Sequence, residues 1–251
     1  MNTLLNIELY NFLFIFLRIG GAFAFMPGFN TQYVFMRSRL SLALVVTVVL
    51  IPFLSSNLTT PPQDFLVFLK ICLFEVTYGV FLGLIMQILF TALTLMGNFS
   101  GQAIGFANAQ AFNPTTQNQS VIIESFVTIV AITTIFITDL HHLMLSAVID
   151  SYKIFPFGSD LPVGDMADFF AETVGKSFLI GFKLAAPFIA FMIVFYSGMG
   201  LVSRLMPQLN IFFLSLPLQI YLGLGLLFIT LPIIIFWFLK YFEEGLIYFT
   251  S

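Results

Sequence analysis

The sequence predicts an all-α, polytopic membrane fold of about six kinked apolar helices arranged as helical hairpins. Three observations carry this prediction. The 251 residues are 59% hydrophobic and only 8% charged, whereas soluble domains carry about 25% charge, so too few charges exist to wet a water-facing surface. Mean hydropathy is +1.04. Long runs, Leu40 to Gln63 and Leu205 to Leu239, hold no charged residue at all.

A membrane helix needs about 20 mostly apolar residues. Six segments meet that need, at 9–27, 40–56, 66–96, 121–149, 178–203 and 211–240. The first is expected to be a retained helix and not a cleaved leader. Ala22-Phe23-Ala24 imitates a cleavage site, but Glu8 and Arg18 spoil the basic start and unbroken apolar core that a leader requires. The connections differ in chemistry. Gly28 to Arg39 carries Arg37 and Arg39, Ser55 to Asp64 holds the Pro61-Pro62 turn, and Gly97 to Ser120 is uncharged but rich in Gly, Asn and Gln. Ser151 to Lys176 is acidic through Asp160, Asp165, Asp168 and Glu172, and Arg204 to Asn210 is short. The positive-inside rule would place the loops holding Arg37, Arg39 and Arg204 in the cytoplasm. Pro187, Pro217 and Pro232 are expected to break the later helices, because an interior proline forfeits a backbone hydrogen bond.

Several chemistries are disfavoured at once. The net charge of -3 argues against nucleic acid, whose phosphates need a basic face. The single cysteine, Cys72, rules out an internal disulfide and reads as a small buried hydrophobe. Asp139 and His142 share a helix face with His141 nearby, but the chain has no other histidine and lacks the H-E-x-x-H signature of catalytic zinc. They are expected to cap or anchor a helix at the membrane interface. No metal, cofactor or catalytic residue is expected.

Charges inside apolar segments weigh more. Arg18, Lys70, Glu75, Glu124 and Lys183 lie within the candidate spans, where a charge costs roughly 2.5–3.5 kcal/mol on insertion scales and so pairs or lines a wet cavity. Their mixed sign favours pairs between helices or subunits over a proton relay. The small residues are patterned too. Gly97, Gly101, Gly105 and Ala109 recur every fourth residue, and Gly79 and Gly83 repeat the device one span earlier, a spacing that lets helix backbones touch in a membrane. The stripe runs into the polar segment GFANAQAFNPTTQNQS. Polar irregular backbone survives at membrane depth only when buried in protein or lining water, so the segment is either a re-entrant loop constricting a pore or an ordinary interhelical loop. Composition and spacing leave channel, carrier and scaffold all open.

The stretch Gly198 to Leu218, GMGLVSRLMPQLNIFFLSLPL, resembles the hallmark segment of the FliR/SpaR/YscT family of type III export-gate proteins. Its small-residue turn, Ser-Arg, Pro-Gln-x-Asn, aromatic and later proline appear as Gly200, Ser203, Arg204, Pro207, Gln208, Asn210, Phe212 and Pro217. Upstream, Ala186-Pro187, the Gly101 to Gly105 stretch and the turn at Asn113-Pro114 are similar to the family's pattern. Arg18, Pro27, Arg37, Glu75, Gly79 and Gly83 fit as well, so the resemblance covers nearly the whole chain. It implies a non-enzymatic inner-membrane subunit of the flagellar basal body. Such a subunit would build the export gate with FliP-like and FliQ-like partners and meet FlhA-like and FlhB-like components, membrane lipid and unfolded secreted polypeptides. It also implies a FliP-like part at 1–175, a FliQ-like hairpin at 176–251, and a plug in the polar segment using Phe106, Asn108, Ala111, Phe112, Asn113 and Pro114.

Overall fold

The computed structural model describes residues 2–30, 34–54, 64–105, 120–208 and 211–250. Over these the chain is all helical: α1 (Asn2–Phe25), α2 (Met36–Leu54), α3 (Phe65–Ile104), α4 (Ser120–Ile137), α5 (Leu140–Ile154), α6 (Val163–Leu205) and α7 (Ile211–Ile247). Four stretches are long and apolar enough to cross a membrane, Met36–Leu54, Phe65–Ile104, Val163–Leu205 and Ser215–Ile247. The pair Ile122–Ile137 and Leu140–Ile154, bent by 75°, makes a possible fifth, while Leu9–Phe25 is a shorter apolar helix. The chain is therefore a polytopic all-α membrane protein, with four or five candidate crossings by length and composition among the described residues where six were expected.

The differences from the expected map have local causes. The segment expected at 121–149 is split at Asp139, which holds φ 59°, a left-handed conformation that Asp tolerates better than most residues. Pro187 lies within the unbroken α6, and Pro217 and Pro232 lie within the unbroken α7. These prolines do not break their helices, since neighbouring groups in a membrane bundle can re-satisfy the freed carbonyls. The acidic connection is mostly helix, because α6 already begins at Val163 and carries Asp165 in its first turn, where the helix dipole favours a carboxylate. Arg37 and Arg39 likewise fall on α2. Gly97 to Ile104 belongs to α3 and not to a loop. The helix stops at Gly105, whose φ of +92° suits the left-handed residue that closes a helix, and whose N–H bonds Gln102 O at 3.0 Å. The Pro61-Pro62 turn lies outside the described residues.

The chain divides into two compact units. The first comprises 1–89, 138–173 and 242–251, the second 90–137 and 174–241. In the first unit α1 and α3 meet backbone to backbone. A Cβ on Gly79 would run into the Arg18 carbonyl, and one on Gly83 would stand 2.6 Å from Ala22 O. The core around this contact is Ile15, Ile19, Ala22, Phe23, Tyr78, Leu82 and Met86, joined by Met144, Ala147 and Val148 of α5. Because the obstacle at Gly79 is backbone, Gly79→Ala should cost about 1–3 kcal/mol. A lower unfolding temperature in detergent checks this, and an unchanged one would show that the helices can part freely.

The second unit uses the same device. A Cβ on Gly97 would lie 2.7 Å from Glu124 Cα on α4, one on Gly181 2.7 Å from Ala92 O, and one on Gly223 2.8 Å from Ile104 Cγ1. Gly101 is buried on the same helix. Edge-to-face ring pairs fill the remaining space, Phe90 with Phe238 at 5.5 Å and Phe99 with Phe182 at 6.1 Å. The Ser177 and Tyr241 hydroxyls share a hydrogen bond of 2.8 Å.

Candidate functional site

The first unit holds a buried charge cluster. Arg18 on α1 donates from Nε to Glu75 Oε2 at 2.7 Å and from Nη2 to Oε1 at 3.0 Å, a fork-on-fork pair that fixes both planes. Its Nη2 also donates to Phe155 O at 3.0 Å and its Nη1 reaches Ser151 Oγ at 3.4 Å. The guanidinium thus sits against the C-terminal end of α5, whose free carbonyls carry partial negative charge. Three rings close around it, Tyr152 at 4.0 Å, Tyr78 at 5.0 Å and Phe157 at 5.5 Å, each offering a π face to the cation. Both charged side chains are inaccessible to solvent. One cation thereby ties α1, α3 and α5 at a single point.

A second, exposed pair lies near the α5–α6 connection. Lys70 Nζ donates to Asp160 Oδ1 at 2.7 Å, and this hydrogen bond, helped by the ammonium charge, holds the Asp160 carboxyl below its usual range. The pair is therefore kept at neutral pH and lost as pH falls through that lowered value. Tyr78 OH bonds the Ser159 and Asp160 carbonyls at 3.4 and 3.3 Å.

In the second unit the end of α3 is gripped by α7. Gln219, 1% exposed, donates from Nε2 to Ala103 O at 2.9 Å, one of the carbonyls that a helix end leaves without a partner. A Cβ on Gly105 would lie 2.9 Å from Gln219 Cδ. This grip sits at the root of the polar segment. Phe106, Asn108, Ala111, Phe112, Asn113 and Pro114 themselves lie outside the described residues. Sequence reasoning missed Gln219, although a lone amide in the apolar stretch Ile211 to Ile247 was a signal. It likewise gave no partners for Arg18, although Val148, Ser151, Tyr152 and Phe155 repeat at helical spacing.

The remaining candidates stand apart. Glu124 is half-buried on α4 and Lys183 is exposed on α6. Ser203, Arg204, Pro207, Gln208 and Pro217 are exposed, with Ser203 Oγ donating to Gly200 O at 2.7 Å, while Asn210 lies outside the described residues. Asp139 takes the N-cap position of α5 but makes no side-chain cap bond, so its side chain does not cap the helix. Its Oδ1 lies instead 3.5 Å from His142 Nδ1. The ligand atoms of Asp139, His141 and His142 fall within 4.8 Å of one another. Asp139 and His142 are largely solvated while His141 is half-buried, and a site at a helix end with two solvated ligands holds an ion weakly without support around it. Replacing both histidines with Gln should leave the level of the chain in membranes and its bound metal unchanged. Loss of a stoichiometric ion from the double variant would reopen a metal role.

A bundle of long apolar helices, with a buried ion pair and backbone-to-backbone crossings, defines a polytopic membrane protein. The chain belongs to the bacterial export proteins, family 1, whose model matches residues 9–245. Membership places it among components of an export apparatus and not among enzymes. It is 35% identical to the flagellar biosynthetic protein FliR of Caulobacter vibrioides over 89% of each chain. Against the protein of the same name from Bacillus subtilis it is 28% identical, covering 89% of this chain and 86% of that one. The Yop proteins translocation protein T of Yersinia pestis is 31% identical, over 58% of this chain and 56% of its own.

Proposed function

We propose that this chain is an inner-membrane channel subunit of the flagellar type III export apparatus, placed in the basal body, where it forms the export gate with FliP-like and FliQ-like subunits. The observation that carries this reading is the family match across residues 9–245. Relatives named as flagellar biosynthetic proteins, matched over most of their length, support the flagellar form. The match to a Yersinia translocation protein over a shorter span supports an injectisome subunit as the second reading.

In this reading residues 1–175 act as the FliP-like part and 176–251 as the FliQ-like hairpin. The uncharged polar segment closes the channel until unfolded flagellar polypeptides pass, and FlhA-like and FlhB-like components supply them. The small residues at 79, 83, 97, 101 and 105 hold the frame in which the segment is mounted. The exposed Ser203 to Gln208 turn offers its polar groups to neighbours in the assembly. The experiment is affinity purification of the tagged chain from bacterial membranes in mild detergent. FliP-like and FliQ-like subunits should come with it in fixed ratio. A chain that purifies alone, and moves a solute across liposomes by itself, would replace this reading with a carrier.

A further inference from the structure

The helix α6 is 43 residues long, about 65 Å at 1.5 Å per residue, against a hydrocarbon core of about 30 Å. Only about half of it can lie in lipid at once. Its uncharged run is Leu184 to Ser203, which by itself fills one crossing. If that run is the crossing, then Val174, Phe178, Leu179 and Phe182, exposed by 43, 56, 52 and 48%, project beyond the hydrocarbon. If the helix slides so that lipid covers them, Lys183 is carried inside. Lys183 is exposed and makes no ion pair or hydrogen bond with the described residues. Lipid alone satisfies neither placement, because one leaves a large apolar face in water and the other leaves a bare ammonium in hydrocarbon.

We propose that the face of α6 carrying Leu179, Phe182 and Lys183 is covered by an apolar helix of another membrane subunit that presents a carboxylate to Lys183. Charge complementarity selects the occupant. A neighbour lacking an acidic group would bury the ammonium unpaired, and a polar neighbour would leave the Leu179 side chain and the Phe182 ring uncovered. Leu179 stands one turn before Lys183 and Ala186 one turn after it, both exposed. The lysine is thus bordered by apolar or small residues along the helix, and no acidic side chain among the described residues pairs with it.

The inference rests on the assembly reading above and names the place and chemistry of one contact in it. The test uses the complex as purified from membranes, treated with a carbodiimide. This reagent activates a carboxylate, the lysine amine attacks it, and an amide forms as the reagent leaves as a urea, with no spacer between the two groups. Mass spectrometry should find Lys183 joined to an Asp or Glu peptide of a co-purifying subunit. In parallel, Lys183→Glu should lower recovery of that subunit by about tenfold or more, while Lys183→Arg keeps it. The cross-link is read on the unmodified chain, so misfolding of a variant does not mask the answer. Full partner recovery with Lys183→Glu overturns the inference. So does a Lys183 amine in the assembled complex that reacts with a water-soluble amine reagent as fast as in the separated chain. Loss of bound phosphatidylglycerol from Lys183→Glu, with partners retained, overturns it in favour of a lipid phosphate. A wild-type chain that brings no membrane subunit at all fails the assembly reading itself and is told apart by that result.

Discussion

Arg18→Ala is expected to be the most destabilising single substitution in the first unit, at about 3–5 kcal/mol, because it leaves a buried carboxylate without its counter-charge. Glu75 is fully buried, and among the described residues Arg18 is the cation that pairs with it. The same change removes the donors at Phe155 O and Ser151 Oγ and empties the space among Tyr78, Tyr152 and Phe157. The helix end of α5 then loses its tie to α1 and α3. Arg18→Met with Glu75→Gln should recover much of the loss, since a neutral pair of similar volume leaves no bare charge. The measurement is the unfolding temperature of the detergent-purified chain, together with its level in membranes. Equal stability of the single and double variants would show that the charges are not coupled and that the cluster only packs.

The second large effect is expected from deleting Ala107 to Asn113. The polar segment has no charge, contains Phe106 and Phe112, and is otherwise rich in amides. Amides can satisfy irregular backbone inside a protein-lined pore, while rings narrow it and exclude ions by dewetting. The deletion should therefore leave the complex assembled and make the membrane leak small ions. Assembly is followed by native gel and conductance in planar bilayers or cells. An assembled deletion complex as tight to ions as wild type would move the seal to partner subunits. The grip of Gln219 on Ala103 O and the helix stop at Gly105 lie before the deleted stretch. The variant therefore keeps α3 anchored and isolates the segment.

Much of the site was legible as chemistry and not as geometry. Arg18 and Glu75 stood out because charge is rare in apolar runs, yet they are 57 residues apart and nothing in spacing pairs them. Gly79 and Gly83 read as a contact stripe, but only the fold shows that they face the backbone of α1 at Arg18 and Ala22. Gly181, Gly223 and Gly245 belong to no obvious stripe, and each meets a neighbour below 3 Å if given a Cβ. Gln219 was passed over because a single amide in an apolar helix has no periodic signature.

What the sequence determined by itself is the solvent and the secondary structure. Too few charges for water, and uncharged runs long enough for hydrocarbon, leave the helix as the form that satisfies every backbone group within its own segment. The Ser203 to Asn210 motif added the family, because a local string survives without knowledge of what it touches. Tertiary structure decided where helices end and which groups meet. The prolines at 187, 217 and 232 stay inside long helices, while a break comes at Asp139 with no proline at all. Local helix propensity differs by up to about 0.7 kcal/mol per residue for most side chains and by about 3 kcal/mol for proline. Burying a neighbouring helix face, or a cation among three rings, is worth as much or more. That balance is set by residues distant in the chain, so only the folded molecule contains it.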